Sequence, residues 1–214
     1  MSHFAVALDR VKQSYTVPVR RAAARSMAGL ARTRISPNAL TTSGVLLCAA
    51  SAVLVFFEYR NEYLFYWLGA FVFVVGSILD VLDGALARAG GKTTPFGAFL
   101  DSTTDRISEG FMLTAIAYVL ARHHHPAFVA VTVLAVAASF LVSYTRAKAE
   151  ALGLRGDVGI GSRAERVVVI TAGLVLAPWG VLPWAIVLLA CTAWITVGQR
   201  VLHVRRQLEG AYRA

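Results

Sequence analysis

Long uncharged apolar runs constrain this chain more than any other feature. Ala39 to Phe57, Tyr63 to Leu79, Pro126 to Thr145 and Val167 to Gln199 contain no charged residue. A membrane-spanning helix needs about 20 predominantly apolar residues, so each run is a spanning candidate. The last is long enough for two helices and is broken at Pro178-Trp179-Gly180-Val181-Leu182-Pro183. Only 15% of the 214 residues are charged and 57% are hydrophobic, against about a quarter charged in soluble domains. A soluble single-core protein, a disordered chain and a collagen-like chain are excluded.

The punctuation between runs completes the count. Glu58 to Glu62 reads as a loop, and the second helix continues through Asp80 to about Ala87. Gly90-Gly91-Lys92-Thr93-Thr94-Pro95 supplies turn chemistry, and a third helix begins near Pro95, becoming purely apolar only from Gly110 to Ala121. Pro126 opens a fourth, Gly153 to Ser162 is a polar loop, a fifth starts near Arg163, and a sixth runs from about Trp184 to beyond Arg200. The fold class is therefore an all-α membrane protein with six transmembrane helices. All but two of the 21 Lys and Arg fall on one side of that topology, Arg60 and Arg122 being the exceptions. By the positive-inside rule both termini are cytoplasmic in the cell membrane.

Before the first span, Phe4, Leu8, Val11 and Tyr15 recur at helical spacing opposite Arg10 and Lys12, with Arg20, Arg21 and Arg25 following. This suits an interfacial amphipathic helix on an anionic leaflet; a solvated basic arm is the alternative. Residues 1–36 are read as this helix, 37–206 as the membrane domain and 207–214 as a cytoplasmic tail. Met1 to Ser36 has no apolar stretch ending in a small-residue cleavage site, so a cleaved signal peptide is not expected. Cys48 and Cys191 lie in apolar runs and read as buried small hydrophobes, not as a disulfide or a metal site.

Of the twelve acidic residues, Asp80, Asp83, Asp101 and Asp105 stand in or beside membrane helices, where ionisable groups are costly enough to be functional suspects. Asp80 and Asp83 are three apart and Asp101 and Asp105 four apart, so each pair shares a helix face. The second and third helices flank a short loop, which lets the pairs meet, and Gly84, Ala87 and Gly97 keep the seam open. Four carboxylates in one cavity repel one another, and divalent cations resolve this. Oxygen-only donors favour Mg²⁺ or Mn²⁺, and four carboxylates suffice for two ions about 4 Å apart.

Asp80-Val81-Leu82-Asp83-Gly84-Ala85-Leu86-Ala87-Arg88, followed by Gly97, Asp101 and Asp105, resembles the complete signature of the CDP-alcohol phosphotransferase family, and the six-helix topology matches that family too. The resemblance implies transfer of the phosphatidyl group of CDP-diacylglycerol to an alcohol, with release of CMP. It implies that Asp80, Asp83 and Asp101 hold the metals, and that Asp105 contacts the second metal and accepts the proton of the attacking hydroxyl. It also suggests a homodimer through membrane helices; no nucleic-acid partner is expected. Arg88 suits a phosphate oxygen of the nucleotide. Ser36-Pro37-Asn38-Ala39-Leu40-Thr41 looks like the family's nucleotide-contacting segment, making Asn38, Ala39, Leu40 and Thr41, with Gly84 and Thr94, the CDP-lipid candidates; a plain helix start explains the same residues without function.

The end of the fourth helix and the loop after it carry Arg146, Lys148, Arg155, Arg163 and Arg166. A phosphorylated acceptor calls for such cations. The segment resembles the inositol-phosphate branch of the family, with its archaeal ether-lipid counterparts, and there the acceptor pocket matches Ser143, Arg146, Lys148 and Arg166, with Arg200 or Arg205 as the C-terminal cation. Positive-inside topology alone accounts for Arg155, Arg205 and Arg206. Glycerol 3-phosphate is the rival acceptor, being anionic as well. A cation or proton transporter is the rival of another class, but the acids cluster at one end of two helices. His123, His124 and His125 cannot all face one ion from a helix and read as an exposed loop, while Trp67, Trp179, Trp184 and Trp194 read mostly as interfacial anchors.

Overall fold

The computed structural model describes residues 37–91 and 93–211, so the interfacial helix expected over 1–36 lies outside the described residues. Among the described residues there are six α-helices and no strand: α1 (Pro37–Phe56), α2 (Glu62–Ala89), α3 (Pro95–Arg122), α4 (Pro126–Ala151), α5 (Arg163–Val175) and α6 (Leu182–Ala211). Short 3₁₀ turns at Glu58–Arg60 and Ala177–Trp179 complete the connections. The starts follow local chemistry. Asn61 Oδ1 accepts from Leu64 N at 3.0 Å to cap α2, and Thr94 Oγ1 accepts from Gly97 N at 3.0 Å to cap α3, with Pro95 in the first turn. The Ser162 N–H donates to Glu165 Oε2 at 2.5 Å at the start of α5.

Four helices, α1, α2, α4 and α6, are long and apolar enough to cross a membrane, and the chain is a multi-pass membrane protein. α3 has 28 residues, but its first half carries Asp101, Asp105, Arg106 and Glu109. α5 has only 13, about 20 Å at 1.5 Å per residue, short of a hydrocarbon core of about 30 Å. It stops because Pro178 cannot continue it, and the chain reverses through Gly180, left-handed at φ 74°.

The helices do not simply stack in chain order. α1 packs on both α2 and α3, which touch each other little; α4 packs on α6 and α3, and α5 on α2 and α6. α1 and α2 approach on glycine: a Cβ on Gly76 would lie 2.9 Å from Gly44 O and 2.9 Å from Cys48 Sγ, the small-residue contact that lets membrane helices close up. Ser51 Oγ reinforces the pair by donating to Gly69 O at 2.6 Å. Phe73, Met112, Ile116, Ile170, Leu174, Ile186 and Leu189 fill the centre, while Phe71, Ile78, Val133 and Leu134 face outward, as lipid-facing residues do. Cys48 is buried as expected, but Cys191 is exposed: it lies on the outward face of α6, where lipid rather than protein accommodates a small apolar side chain.

At the end remote from Asp80, Glu58 is buried and ion-paired with Arg122, whose guanidinium also lies over the Tyr59 and Tyr118 rings. His123 Nε2 lies 3.1 Å from Glu58 Oε1, so one of the three loop histidines is tied down while His124 and His125 are exposed. Trp67, Tyr63 and Trp179 form a ring cluster beside it, and Trp67 Nε1 donates to Val175 O at 3.0 Å.

Candidate active site

The C-terminal part of α2 and the N-terminal part of α3 bring the two acidic pairs together. Asp80 and Asp83 are buried, Asp101 and Asp105 half-buried, and one carboxylate oxygen each from Asp80, Asp101 and Asp105 lies within 4.8 Å of the other two. Asp83 stands apart from this trio and accepts a hydrogen bond from the Thr41 hydroxyl of α1. Asp80 Oδ1 and Asp83 Oδ1 are buried oxygens without a hydrogen-bond partner. Such oxygens are costly to leave unpaired, and a site made only of carboxylate donors suits a hard divalent cation. The residues present therefore fit a divalent metal.

A cavity of about 110 Å³ opens beside Asp83 and Asp101, and Asn38, Thr41, Gly84, Arg88 and Thr94 all line it. Three helices converge there because α1 lies between α2 and α3. Two other CDP-lipid candidates fall elsewhere: Ala39 and Leu40 do not line the cavity, and Leu40 is in the core. Gly97 matters for its lack of a side chain, since a Cβ there would lie 3.0 Å from the capping Thr94 Oγ1. The N-terminus of α3 ends at the same cavity, adding a partial positive charge that favours phosphate.

The acceptor candidates are less uniform. Ser143 lines an open groove between α3 and α4, with Phe99, Arg106, Phe111, Phe140 and Tyr144. Arg146 is exposed and paired with Glu150 at 2.8 Å, and Lys148 is exposed. Arg166 is buried in a two-pronged pair with Glu109, at 2.7 and 2.9 Å, and donates to Gly161 O at 2.9 Å. Arg200 is buried too and donates to Val158 O at 2.8 Å and to Val142 O. Arg205 pairs with Glu209 at 2.7 Å. Arg166 and Arg200 thus fix the 153–162 loop, which also holds Thr196 through the Gly161 N–H at 2.8 Å.

Two contributors were given no site of their own by the sequence reading, which counted Arg163 only among the cations near the acceptor. Arg163, the first residue of α5, is ion-paired with Asp80 and stands 2.7 Å from Asp105 Oδ1; Glu109 is the partner of Arg166. The signal was present as spacing. Acids at 105 and 109 share one face of α3, and arginines at 163 and 166 share one face of α5, so two ion pairs form a ladder between helices whose backbones hardly touch.

Known proteins are similar to this chain over most of its length. The chain is 37% identical over 185 residues to the archaetidylinositol phosphate synthase of Methanothermobacter thermautotrophicus, covering 83% of this chain and 87% of that one. It is 37% identical over 195 residues to the phosphatidylinositol phosphate synthase of Mycolicibacterium smegmatis, covering 88% and 82%. The crystal structure of the Mycobacterium tuberculosis phosphatidylinositol phosphate synthase with CDP-DAG bound superposes with a TM-score of 0.75 at 32% identity, covering 86% of this chain and 94% of that one. The same mycobacterial protein has also been solved in complex with manganese and citrate, with a TM-score of 0.75 at 34% identity over 85% of this chain and 88% of that one. The CDP-alcohol phosphatidyltransferase model itself matches residues 34–197, and the chain belongs to that family of transferases.

Proposed function

We propose that this protein transfers the phosphatidyl group of CDP-diacylglycerol to the hydroxyl of inositol phosphate, giving phosphatidylinositol phosphate and CMP. The observation that carries the reading is the buried acidic trio Asp80, Asp101 and Asp105 set against a cavity lined by Asn38, Thr41, Gly84, Arg88 and Thr94. Relatives named for this reaction at 37% identity support the choice of substrates.

Asp80, Asp83, Asp101 and Asp105 would hold two divalent cations, Mg²⁺ or Mn²⁺. When bound, such ions neutralise the diphosphate and stabilise the departing CMP. The chain's own residues do the rest. Asn38, Thr41 and Gly84 border the space for the nucleotide, and Arg88 binds a phosphate oxygen by charge-assisted hydrogen bonds. Asp105 accepts the proton of the attacking hydroxyl as its oxygen bonds to the phosphorus bearing diacylglycerol and the bond from that phosphorus to CMP breaks. Arg163, beside Asp105, joins Ser143, Arg146, Lys148, Arg166 and Arg200 as a candidate for the acceptor phosphate.

The same proposal includes six spans, with α3, and α5 extended by the turn at Ala177–Trp179, crossing alongside the four apolar helices, an interfacial helix before residue 37, both termini and the active site on the cytoplasmic side, and a homodimer. An ether-lipid donor is the second reading, favoured by the equal identity to an archaetidylinositol phosphate synthase. Purified protein given CDP-diacylglycerol and Mg²⁺ should release CMP with inositol phosphate. CMP release with glycerol 3-phosphate but not with inositol phosphate refutes the acceptor assignment.

A further inference from the structure

Arg163 sits on two of the carboxylates that a metal would use, engaging Asp80 through Oδ2 and leaving Asp80 Oδ1 without a partner. Its guanidinium is ion-paired with Asp80 Oδ2 and stands 2.7 Å from Asp105 Oδ1, and both carboxylates belong to the trio whose oxygens converge within 4.8 Å. A guanidinium and a divalent cation repel one another and draw on the same lone pairs. We propose that Arg163 is a resident cation that competes with the metal for Asp80 and Asp105, so that metal loading turns its guanidinium outward and presents it to the phosphate of the acceptor.

The surroundings dictate the direction of that movement. Beneath Arg163, bounded by Phe73, Ser77, Ser108 and Val167, lies a cavity of about 10 Å³, room for about one water and far too small for a guanidinium. The helix that carries Arg163 cannot carry it away either. Arg166, one turn on, is locked to Glu109 and Gly161 O, so α5 stays on α3 while the Arg163 side chain moves alone. That side chain is 26% exposed, and among the described residues its exposed side is the one open to it. Because coupling between two ligands is reciprocal, a metal that frees Arg163 tightens anion binding, and an anion that engages Arg163 tightens metal binding by the same factor.

The delivery of Arg163 to the acceptor rests on the acceptor reading above, whereas the competition for Asp80 and Asp105 does not. The test uses the full chain in detergent, Mn²⁺ followed by electron paramagnetic resonance, and inorganic phosphate as the anion. An arginine that holds the acids nine-tenths of the time weakens metal binding about tenfold. R163Q should therefore bind Mn²⁺ about tenfold more tightly than wild type. Its Tm in EDTA should be lower, and the gap should close at saturating Mn²⁺. Phosphate should tighten Mn²⁺ binding in wild type and do so less in R163Q. R163K, which keeps a competing charge, should bind Mn²⁺ more weakly than R163Q. Equal or weaker Mn²⁺ binding by R163Q overturns the proposal, as does a Mn²⁺-bound structure with Arg163 still bridging Asp80 and Asp105. Absence of CMP release with inositol phosphate alongside the expected Mn²⁺ competition would instead count against the acceptor reading alone.

Discussion

Replacing Glu109 with alanine strands Arg166. The guanidinium of this buried residue makes two hydrogen bonds to the Glu109 carboxylate and one to Gly161 O. The substitution removes the first two. At about 1.5–3 kcal/mol for each bond involving a charged group, the loss is about 3–6 kcal/mol, in line with the 3–5 kcal/mol typical of breaking one side of a buried ion pair. Most of this is the penalty of an uncompensated charge and not the worth of the pair. The double variant E109L/R166L leaves no buried charge, removes both partners of the pair together, leaves Gly161 O unpaired at about 1–3 kcal/mol, and refills part of the space. Reversible unfolding by SDS in mixed micelles compares the three chains. The expected order is wild type, then E109L/R166L, then E109A, with E109A more than about 2 kcal/mol below the double variant. An E109L/R166L protein as unstable as E109A would refute the reasoning, because the ladder would then be worth its full geometry and not only its charge balance.

Three further outcomes follow from other parts of the molecule. Asp105→Asn keeps the shape of the side chain but cannot take a proton, so CMP release should fall about a hundredfold to ten-thousandfold with the Tm unchanged or raised; retention of a tenth of the activity would remove Asp105 from the proposed role. Gly76→Val places atoms against Gly44 O, 2.9 Å from the Cβ position, and should cost about 1–3 kcal/mol by overpacking while weakening the Thr41 contact to Asp83; unfolding and CMP release measured together check both. Glu58→Ala leaves Arg122 with Phe56 O and two tyrosine rings, so about 1–3 kcal/mol of stability should go with CMP release per folded molecule unchanged, since this cluster lies at the opposite end from the acids.

The helices and the acidic pairs were legible because both rest on local spacing. Uncharged runs marked α1, α2, α4 and α6, Thr94 and Pro95 marked the start of α3, and α5 was placed from Arg163 by the length a span needs, its Ser162–Glu165 capping box going unread. What escaped depends on which helix lies beside which. The two pairs meet directly, where the end of α2 faces the start of α3, but nothing in their spacing shows that α1 packs on both helices there and holds Asp83 through Thr41; the glycine seam at Gly44 and Gly76 that draws α1 in has no hydropathy signature. Cys191 reads as buried from its neighbours, yet a helix facing lipid on one side exposes apolar residues at no cost. The family resemblance makes Arg166 and Arg200 acceptor cations, and only the structure reveals that backbone carbonyls and Glu109 engage them as well.

The two helices that depart from an ordinary spanning profile both reach the site, and the two departures have one cause. α3 is long but charged in its first half, and α5 begins with two arginines and ends early. Neither polar half is tolerable against lipid. Facing each other, Asp105 and Glu109 supply what Arg163 and Arg166 lack, so both helices shed charge that would otherwise face the bilayer. The two rungs are not equivalent. Glu109–Arg166 is buried and closed by Gly161 O, whereas Arg163 shares its acids with a site suited to metal and keeps an exposed side. A closed rung fixes the helices, and that fixity lets the open rung exchange its partner without disturbing the fold.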